Sequence, residues 1–208
     1  MKLYYSPGAC SLAQHIILEE LGIPYTAQQV SFEKGDLNTP EFLRINPFGA
    51  IPTLVLTDGT VITEGVAITQ YLADQKPSAN LAPRAGSMER TKLQEYMNFI
   101  ATELHKGFSP LWSPERYVTD PNAQTEFVTN VKKNLDERLE IFNTWLNGKT
   151  YLMGNTFTIA DAYAFTIISW SKLVDVKIDR FSNIPGYLSR VAERPAVLRT
   201  LKNEGLIK

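Results

Sequence analysis

Residues 2–24 run Lys2-Leu3-Tyr4-Tyr5-Ser6-Pro7-Gly8-Ala9-Cys10-Ser11-Leu12-Ala13-Gln14-His15-Ile16-Ile17-Leu18-Glu19-Glu20-Leu21-Gly22-Ile23-Pro24. A short aliphatic and aromatic run, Lys2 to Tyr5, is stopped by Ser-Pro-Gly, the chemistry of a turn. Apolar residues at helical spacing follow (Leu12, Ile16, Leu21), until Gly22-Ile23-Pro24 ends them. This stretch predicts strand, loop and helix, with Cys10 where the helix begins. Working outward, Tyr25 to Val30 alternates as a strand does, and Pro40 to Ile45 predicts a short helix closed by Asn46-Pro47-Phe48-Gly49. Thr53 to Leu56 and Thr60 to Ile62 flank Thr57-Asp58-Gly59, a hairpin signal, and Val66 to Leu72 predicts a further helix. The order β-α-β-α-β-β-α over residues 1–80 predicts a mixed sheet flanked by helices.

Lys76 to Ser87 is rich in Pro and small polar residues, which places an interdomain linker at 81–86. Residues 87–208 predict helices only. Leu93, Met97, Ile100, Leu104 and Phe108 make one apolar stripe, and Val128, Val131, Leu135, Leu139, Phe142 and Leu146 make another. Thr158 to Leu173 is nearly all apolar apart from Asp161 and predicts a central buried helix, with shorter helices at Ile184 to Ala192 and Ala196 to Asn203. The fold class is therefore α/β plus all-α.

The chain has 208 residues, 44% hydrophobic and 21% charged, with a formal net charge of −1, which excludes disorder and gives no electrostatic reason to expect nucleic acid or an anionic membrane. Residues 1–80 hold four Lys or Arg against eight Asp or Glu, and 81–208 hold seventeen against fourteen, so halves of −4 and +3 attract weakly. One cysteine excludes an intramolecular disulfide and a Cys-rich zinc site. No apolar run approaches the length of a membrane span, and the expected location is the cytoplasm.

Cys10 is either a small buried hydrophobe or a reactive thiol whose pKa is lowered by unpaired helix amides. Ser11 either donates a hydroxyl hydrogen bond to the same sulfur anion or caps the helix. Ile51-Pro52 precedes a β-rich run, where a proline marks an edge, a strand start or a cis turn. Glu64-Gly65 before a helix either holds a ligand's carboxylate and ammonium or complements the helix dipole. Asn98, Thr102 and His105, at i, i+4 and i+7, form a polar strip that lines a cleft or faces solvent. Thr158-Ile159-Ala160-Asp161 carries a capping-box pattern with Phe157 as staple, a structural signal.

Five segments together resemble the cytosolic glutathione S-transferases, and within them the bacterial beta class: residues 4–11, Asn46 to Leu54, Thr63 to Ile68, Ala101 to Phe108 and Phe157 to Tyr163. The resemblance covers essentially the whole chain. It implies a thioredoxin-like glutathione-binding domain with a mixed four-stranded sheet, an all-helical domain lining an electrophile pocket, and a homodimer. It implies that Cys10 faces the glutathione sulfur, that Ile51 beside the cis-proline Pro52 pairs with the cysteinyl part, and that Glu64 and Gly65 hold the γ-glutamyl group. Gly65 departs from the serine usual in the wider family. His105 and Asn98 match residues approaching glutathione, Lys106 belongs to the same binding set, and Thr102 reaches the neighbouring subunit's ligand. Tyr5 stands near the place of a catalytic tyrosine in mammalian classes and is assigned to packing. Trp112, Tyr117 and Trp170 belong to the electrophile pocket or are plain core aromatics. The expected chemistry is attack of glutathione thiolate on hydrophobic electrophiles, helped by a helix N-terminus, Ser11 and His105, with no metal; Cys10, a low-pKa thiolate when glutathione is absent, helps this step only by position or hydrogen bond. Thiol–disulfide exchange through Cys10 and simple binding of hydrophobic ligands or antibiotics are the rival readings.

Overall fold

The computed structural model describes residues 1–208. Strands β1 (Lys2–Tyr5), β2 (Thr26–Gln29), β3 (Thr53–Val55) and β4 (Val61–Ile62) form one mixed sheet in the order β2-β1-β3-β4. β1 pairs parallel with β2 and antiparallel with β3, placing Leu3 opposite both Ala27 and Leu54. β3 pairs antiparallel with β4 through the turn at Asp58-Gly59, where Gly59 takes φ +87. Helices α1 (Leu12–Leu21), α2 (Pro40–Ile45) and α3 (Gly65–Gln75) complete the N-terminal part. This is the mixed four-stranded sheet expected from residues 2–62.

The rest is helical: α4 (Met88–Phe99), α5 (Lys106–Trp112), α6 (Pro121–Trp145), α7 (Ile159–Ser169), α8 (Ile184–Ala192) and α9 (Pro195–Asn203). A π-helical segment, Ile100–His105, joins α4 to α5, so 88–112 is one continuous helical run with a wide turn in its middle. There the Lys106 N–H donates to Ala101 O, five residues back instead of four. No helix of the chain is long and apolar enough to cross a membrane.

The two parts share a core. α1 buries Leu12, Ala13, Ile16, Ile17, Leu18 and Leu21, and packs on α3, α7 and α9. Every residue of α7 from Ile159 to Ile168 is buried, so one apolar cluster runs from Leu3 and Leu54 through α1 to Ile167 and Tyr187. The opposite charges of the halves meet at three places: Arg194 grips Glu20 through Nε and Nη2 at 2.7 and 3.0 Å, Arg199 Nε donates to Glu19 at 2.9 Å, and Arg90 pairs with Asp74. Arg90, buried, bonds both oxygens of Asp74 at 2.9 and 2.7 Å and also Pro83 O at 2.9 Å. It thereby ties α4 to α3 and to the connecting segment.

At the start of α7, Asp161 is fully buried and accepts four hydrogen bonds. These come from Thr158 N at 2.8 Å, Thr158 Oγ1 at 2.9 Å, Leu152 N at 2.9 Å and Tyr187 Oη at 3.0 Å. The first is the return bond of a capping box, and the last two fasten the 150s loop and α8 to the same carboxyl. Burial pushes its pKa up to about 6, against the downward pull of those bonds.

Candidate active site

Where the β1–α1 loop meets the helical part, a cleft of about 230 Å³ opens between the two parts of the chain. Cys10 and Gln14 line it from α1 and its approach, Asn46, Phe48, Ala50, Ile51 and Pro52 from the loop before β3, Thr63, Glu64, Gly65 and Val66 from the start of α3. Ala101, His105, Lys106 and Tyr163 close it from the helical side.

The Ile51–Pro52 peptide is cis. The loop leading to it is built by Asn46, whose Nδ2 donates to Ala50 O at 2.8 Å and Thr53 Oγ1 at 2.9 Å while Oδ1 accepts from Phe48 N at 3.1 Å. Ile51 stands outside the sheet ladder, so its main chain faces the cleft unpaired by backbone. Its carbonyl accepts from the Cys10 thiol at 3.2 Å. Glu64 caps α3 with φ 66 and ψ 114, a strained backbone for a side chain bearing a Cβ. Strain of this kind persists where surrounding structure over-determines it, and here it sets a carboxylate at the cleft edge.

Gly65 is explained by Gln14. The fully buried Gln14 amide donates through Nε2 to Gly65 O at 3.0 Å, and a Cβ on Gly65 would stand 3.0 Å from that nitrogen. The usual serine of the wider family is thus sterically crowded here. Gln14 escaped the sequence reading because nothing local distinguishes it; the available signal was an uncharged polar residue amid the apolar side chains of α1.

His105 Nδ1 lies 2.7 Å from Tyr163 Oη. The Tyr163 hydroxyl has no other partner and its pKa is raised by burial and by the nearby Cys10 and Glu64, so its proton goes to Nδ1 and leaves the imidazole as the Nε2–H tautomer. Burial, with a smaller contribution from the Lys106 charge, lowers the His105 pKa to about 4. The ring is neutral near pH 7 and keeps one N–H donor. The sequence reading placed Tyr163 within a motif but gave it no role.

Three expectations are corrected. Burial pushes the Cys10 thiol up to about 11, although the amides of Cys10 and Ser11 pull it down. Cys10 sits ahead of α1, which begins at Leu12, in partly buried surroundings beside Glu64, so desolvation outweighs the helix amides and the residue is a thiol donor. Ser11 is fully buried and neither caps α1 nor reaches the cleft: its Oγ accepts from Ser6 N at 3.2 Å and donates to Ser6 O at 3.4 Å, closing the loop on itself. The polar strip of Asn98, Thr102 and His105 is divided: only His105 lines the cleft, and Asn98 and Thr102 take the solvent-facing alternative. The π turn rotates His105 and Ala101 into the cleft and leaves Asn98 and Thr102 exposed on another side, with Thr102 Oγ1 donating to Asn98 O at 3.0 Å. Thr102 lines a separate shallow depression with Glu103 and Arg138; only Lys106 borders both.

Tyr5 is buried against His15 with ring centroids 5.2 Å apart and does not line the cleft. Trp170 is buried, with its ring 5.1 Å from His105 and 5.8 Å from the half-exposed Trp112, while the exposed Tyr117 stacks on Phe127 at 5.8 Å. No group of three or more His, Cys, Asp or Glu side chains is placed to hold a metal ion.

A cis-proline loop, an acidic helix start, a thiol and a histidine thus line one cleft between the two parts of the chain. The sequence pattern of the glutathione S-transferase N-terminal domain matches residues 9–75, and that of the C-terminal domain matches residues 99–195. The chain belongs to the glutathione S-transferase family. Over 207 residues it is 43% identical to glutathione S-transferase GstA of Escherichia coli O157:H7, covering 99% of this chain and 100% of that protein. A bacterial beta class glutathione S-transferase of Sphingomonas chungbukensis superposes with a TM-score of 0.88 at 38% identity, and a sphingomonad glutathione S-transferase complexed with glutathione with 0.89 at 36%, each over 100% of both chains. The protein is a glutathione transferase, and its cosubstrate is glutathione.

Proposed function

We propose that glutathione lies with its γ-glutamyl group at Glu64 and Gly65, its cysteinyl main chain along Ile51 and Pro52, and its sulfur between Cys10 and His105. Lys106 neutralises charge at the cleft rim. The thiolate attacks the electrophilic carbon of an apolar substrate admitted from the side of the exposed Trp112 and Tyr117, with the buried Trp170 behind them as core; the S–C bond forms as the leaving group departs with its electron pair. The observation that carries this reading is His105: Tyr163 closes Nδ1, so the ring offers Nε2–H and stays neutral. A hydrogen bond to an anion contributes about 1.5–3 kcal/mol, equivalent to lowering the glutathione thiol pKa by about 1–2 units. The Cys10 S–H adds a second, weaker donor. A Cys10 thiol this hard to ionise disfavours the exchange reading, since the thiolate is the species that attacks a disulfide.

In this proposal the enzyme is a cytoplasmic homodimer that detoxifies electrophiles. Asn98 and Thr102, exposed and turned from their own cleft, approach the glutathione of the second copy. Sedimentation should give twice 23.4 kDa; a monomer with full glutathione affinity would refute the second subunit's part. The thiol arrangement is tested by following thiolate absorbance of bound glutathione against pH. His105→Phe should raise that pKa by about one unit, and an unchanged titration would remove His105 from the thiol site.

A further inference from the structure

Gly8 lies two residues before Cys10, in the loop between β1 and α1, yet both of its main-chain polar groups are held from the far end of the chain. Its N–H donates to Glu204 Oε2 at 2.9 Å, and its carbonyl accepts from Trp170 Nε1 at 2.8 Å. Glu204 lies just beyond α9, its side chain is fully enclosed, and its other oxygen lies 2.8 Å from His15 Nδ1 on α1. Trp170 lies just beyond α7, and the same indole that binds Gly8 packs edge-on against His105 at 5.1 Å. Gly8 takes φ +70 and Leu206 covers it, 3.5 Å from where a Cβ would stand. Neither Glu204 nor Trp170 lines the cleft.

We propose that Glu204 and Trp170 are positioning residues for the thiol chemistry: they clamp Gly8 from both sides and so set where Cys10 and the first amides of α1 stand relative to His105 and the glutathione sulfur. The two bonds act on successive peptide groups. One alone would leave the loop free to pivot, whereas both fix its position and its tilt. Trp170 adds a second link, because its ring is a wall for His105; the Cys10 side and the His105 side of the cleft are referenced to one rigid indole. Small misplacements at a reacting centre are expensive in rate, so a clamp outside the cleft acts on chemistry without touching substrate. The clamp's role rests on the placement of glutathione between Cys10 and His105.

The test uses the full-length enzyme, its Trp170→Phe, Glu204→Ala and Glu204→Gln variants, glutathione and an aryl halide. Trp170→Phe keeps a ring against His105 and removes only the indole N–H. Glu204→Gln keeps an oxygen for the Gly8 N–H and offers an amide N–H to His15 Nδ1, while Glu204→Ala keeps neither. Trp170→Phe and Glu204→Ala should each lower kcat at saturating glutathione by about tenfold and move the thiol limb of the pH profile up by about one unit. KM for the aryl halide should stay within about twofold, and Glu204→Gln should recover most of the loss. If Glu204→Ala does not fold, the other two variants decide. A folded Trp170→Phe with a wild-type pH profile, or a Glu204→Gln profile shifted as far as Trp170→Phe, overturns the clamp. Failure of the wild type to bind glutathione in calorimetry would instead overturn the placement on which the clamp rests.

Discussion

Asp161→Ala should destabilise the protein by about 3 kcal/mol near neutral pH while sparing the chemistry, and the size comes from three stranded donors and one buried charge. Truncation strands the N–H groups of Leu152 and Thr158 and the Tyr187 hydroxyl in a site that α7 and α8 close to water. Each stranded buried donor costs about 1–3 kcal/mol, so at a middle value of about 2 kcal/mol the three together cost about 6 kcal/mol. Against this, the native state holds a carboxyl whose pKa stands at about 6, compared with 3.8 for an ordinary aspartate. At 1.36 kcal/mol per unit, keeping it ionised at neutral pH already costs the wild type about 3 kcal/mol, a cost the alanine variant escapes. The remainder is the predicted loss, equivalent to roughly 6–12 °C in Tm for a chain of this length. The same shift sets the sign with pH. The folded pKa lies above the unfolded one, so the contribution of Asp161 is fully present below about pH 3.8 and declines as pH rises through about 6. Urea titrations at fixed protein concentration should therefore show the gap between wild type and variant widening from pH 7 to pH 5. A variant with wild-type melting and lost activity would place Asp161 in the catalytic machinery and refute the account.

Cys10→Ala should retain much of its aryl-halide conjugation, because the glutathione sulfur is the nucleophile and His105 remains; a loss of several orders of magnitude would make Cys10 the group that activates the thiol. Intact-mass measurement of the wild type with oxidised glutathione at neutral pH should show little adduct, and rapid stoichiometric glutathionylation would contradict a thiol raised to about 11. The His105 pKa is depressed to about 4 from 6.5, so its contribution is present above pH 6.5 and lost as pH falls through about 4, by roughly 3 kcal/mol; His105→Phe should flatten that part of the acid unfolding curve, and an unaltered curve would contradict the buried neutral ring. Gly65→Ser should lower glutathione affinity severalfold by driving a Cβ against the Gln14 amide, about 1–3 kcal/mol of overpacking, whereas Gly65→Ser with Gln14→Ala should regain part of it.

Legibility in the sequence depended on whether the cause was local. The run Lys2 to Leu21 carries its own punctuation, and Asp58-Gly59 its own turn, so sheet and flanking helices could be read from neighbours a few residues apart. The capping box at Thr158 and Asp161 was legible for the same reason. The π turn was not: Ile100 to His105 has ordinary helix composition, and a wide turn there shifts the phase of every later side chain, which is why Asn98 and Thr102 were wrongly aligned with His105. The acidity of Cys10 is not legible because a helix N-terminus is visible in sequence, whereas burial of the thiol and the smaller effect of the Glu64 charge are not. Gln14 and Glu204 answer to partners fixed by tertiary structure, 51 and 196 residues away, whereas Ser11 answers to Ser6 through a loop conformation that no residue pattern marks.

The apolar faces of α1 carry a consequence for how the chain is made. A helix that packs on the sheet and α3 on one side and on α7 and α9 on the other cannot bury its second face until those later helices have been synthesised. The first eighty residues therefore emerge from the ribosome with an exposed apolar surface, the state most open to misassembly and to chaperones. Glu204 reaches Gly8, and Leu206 settles over it, only once the segment beyond α9 has been made. The thiol loop is thus finished only after segments almost two hundred residues further along the chain are made, and a chain that lacks Glu204 and Leu206 keeps Gly8 fastened on the Trp170 side alone.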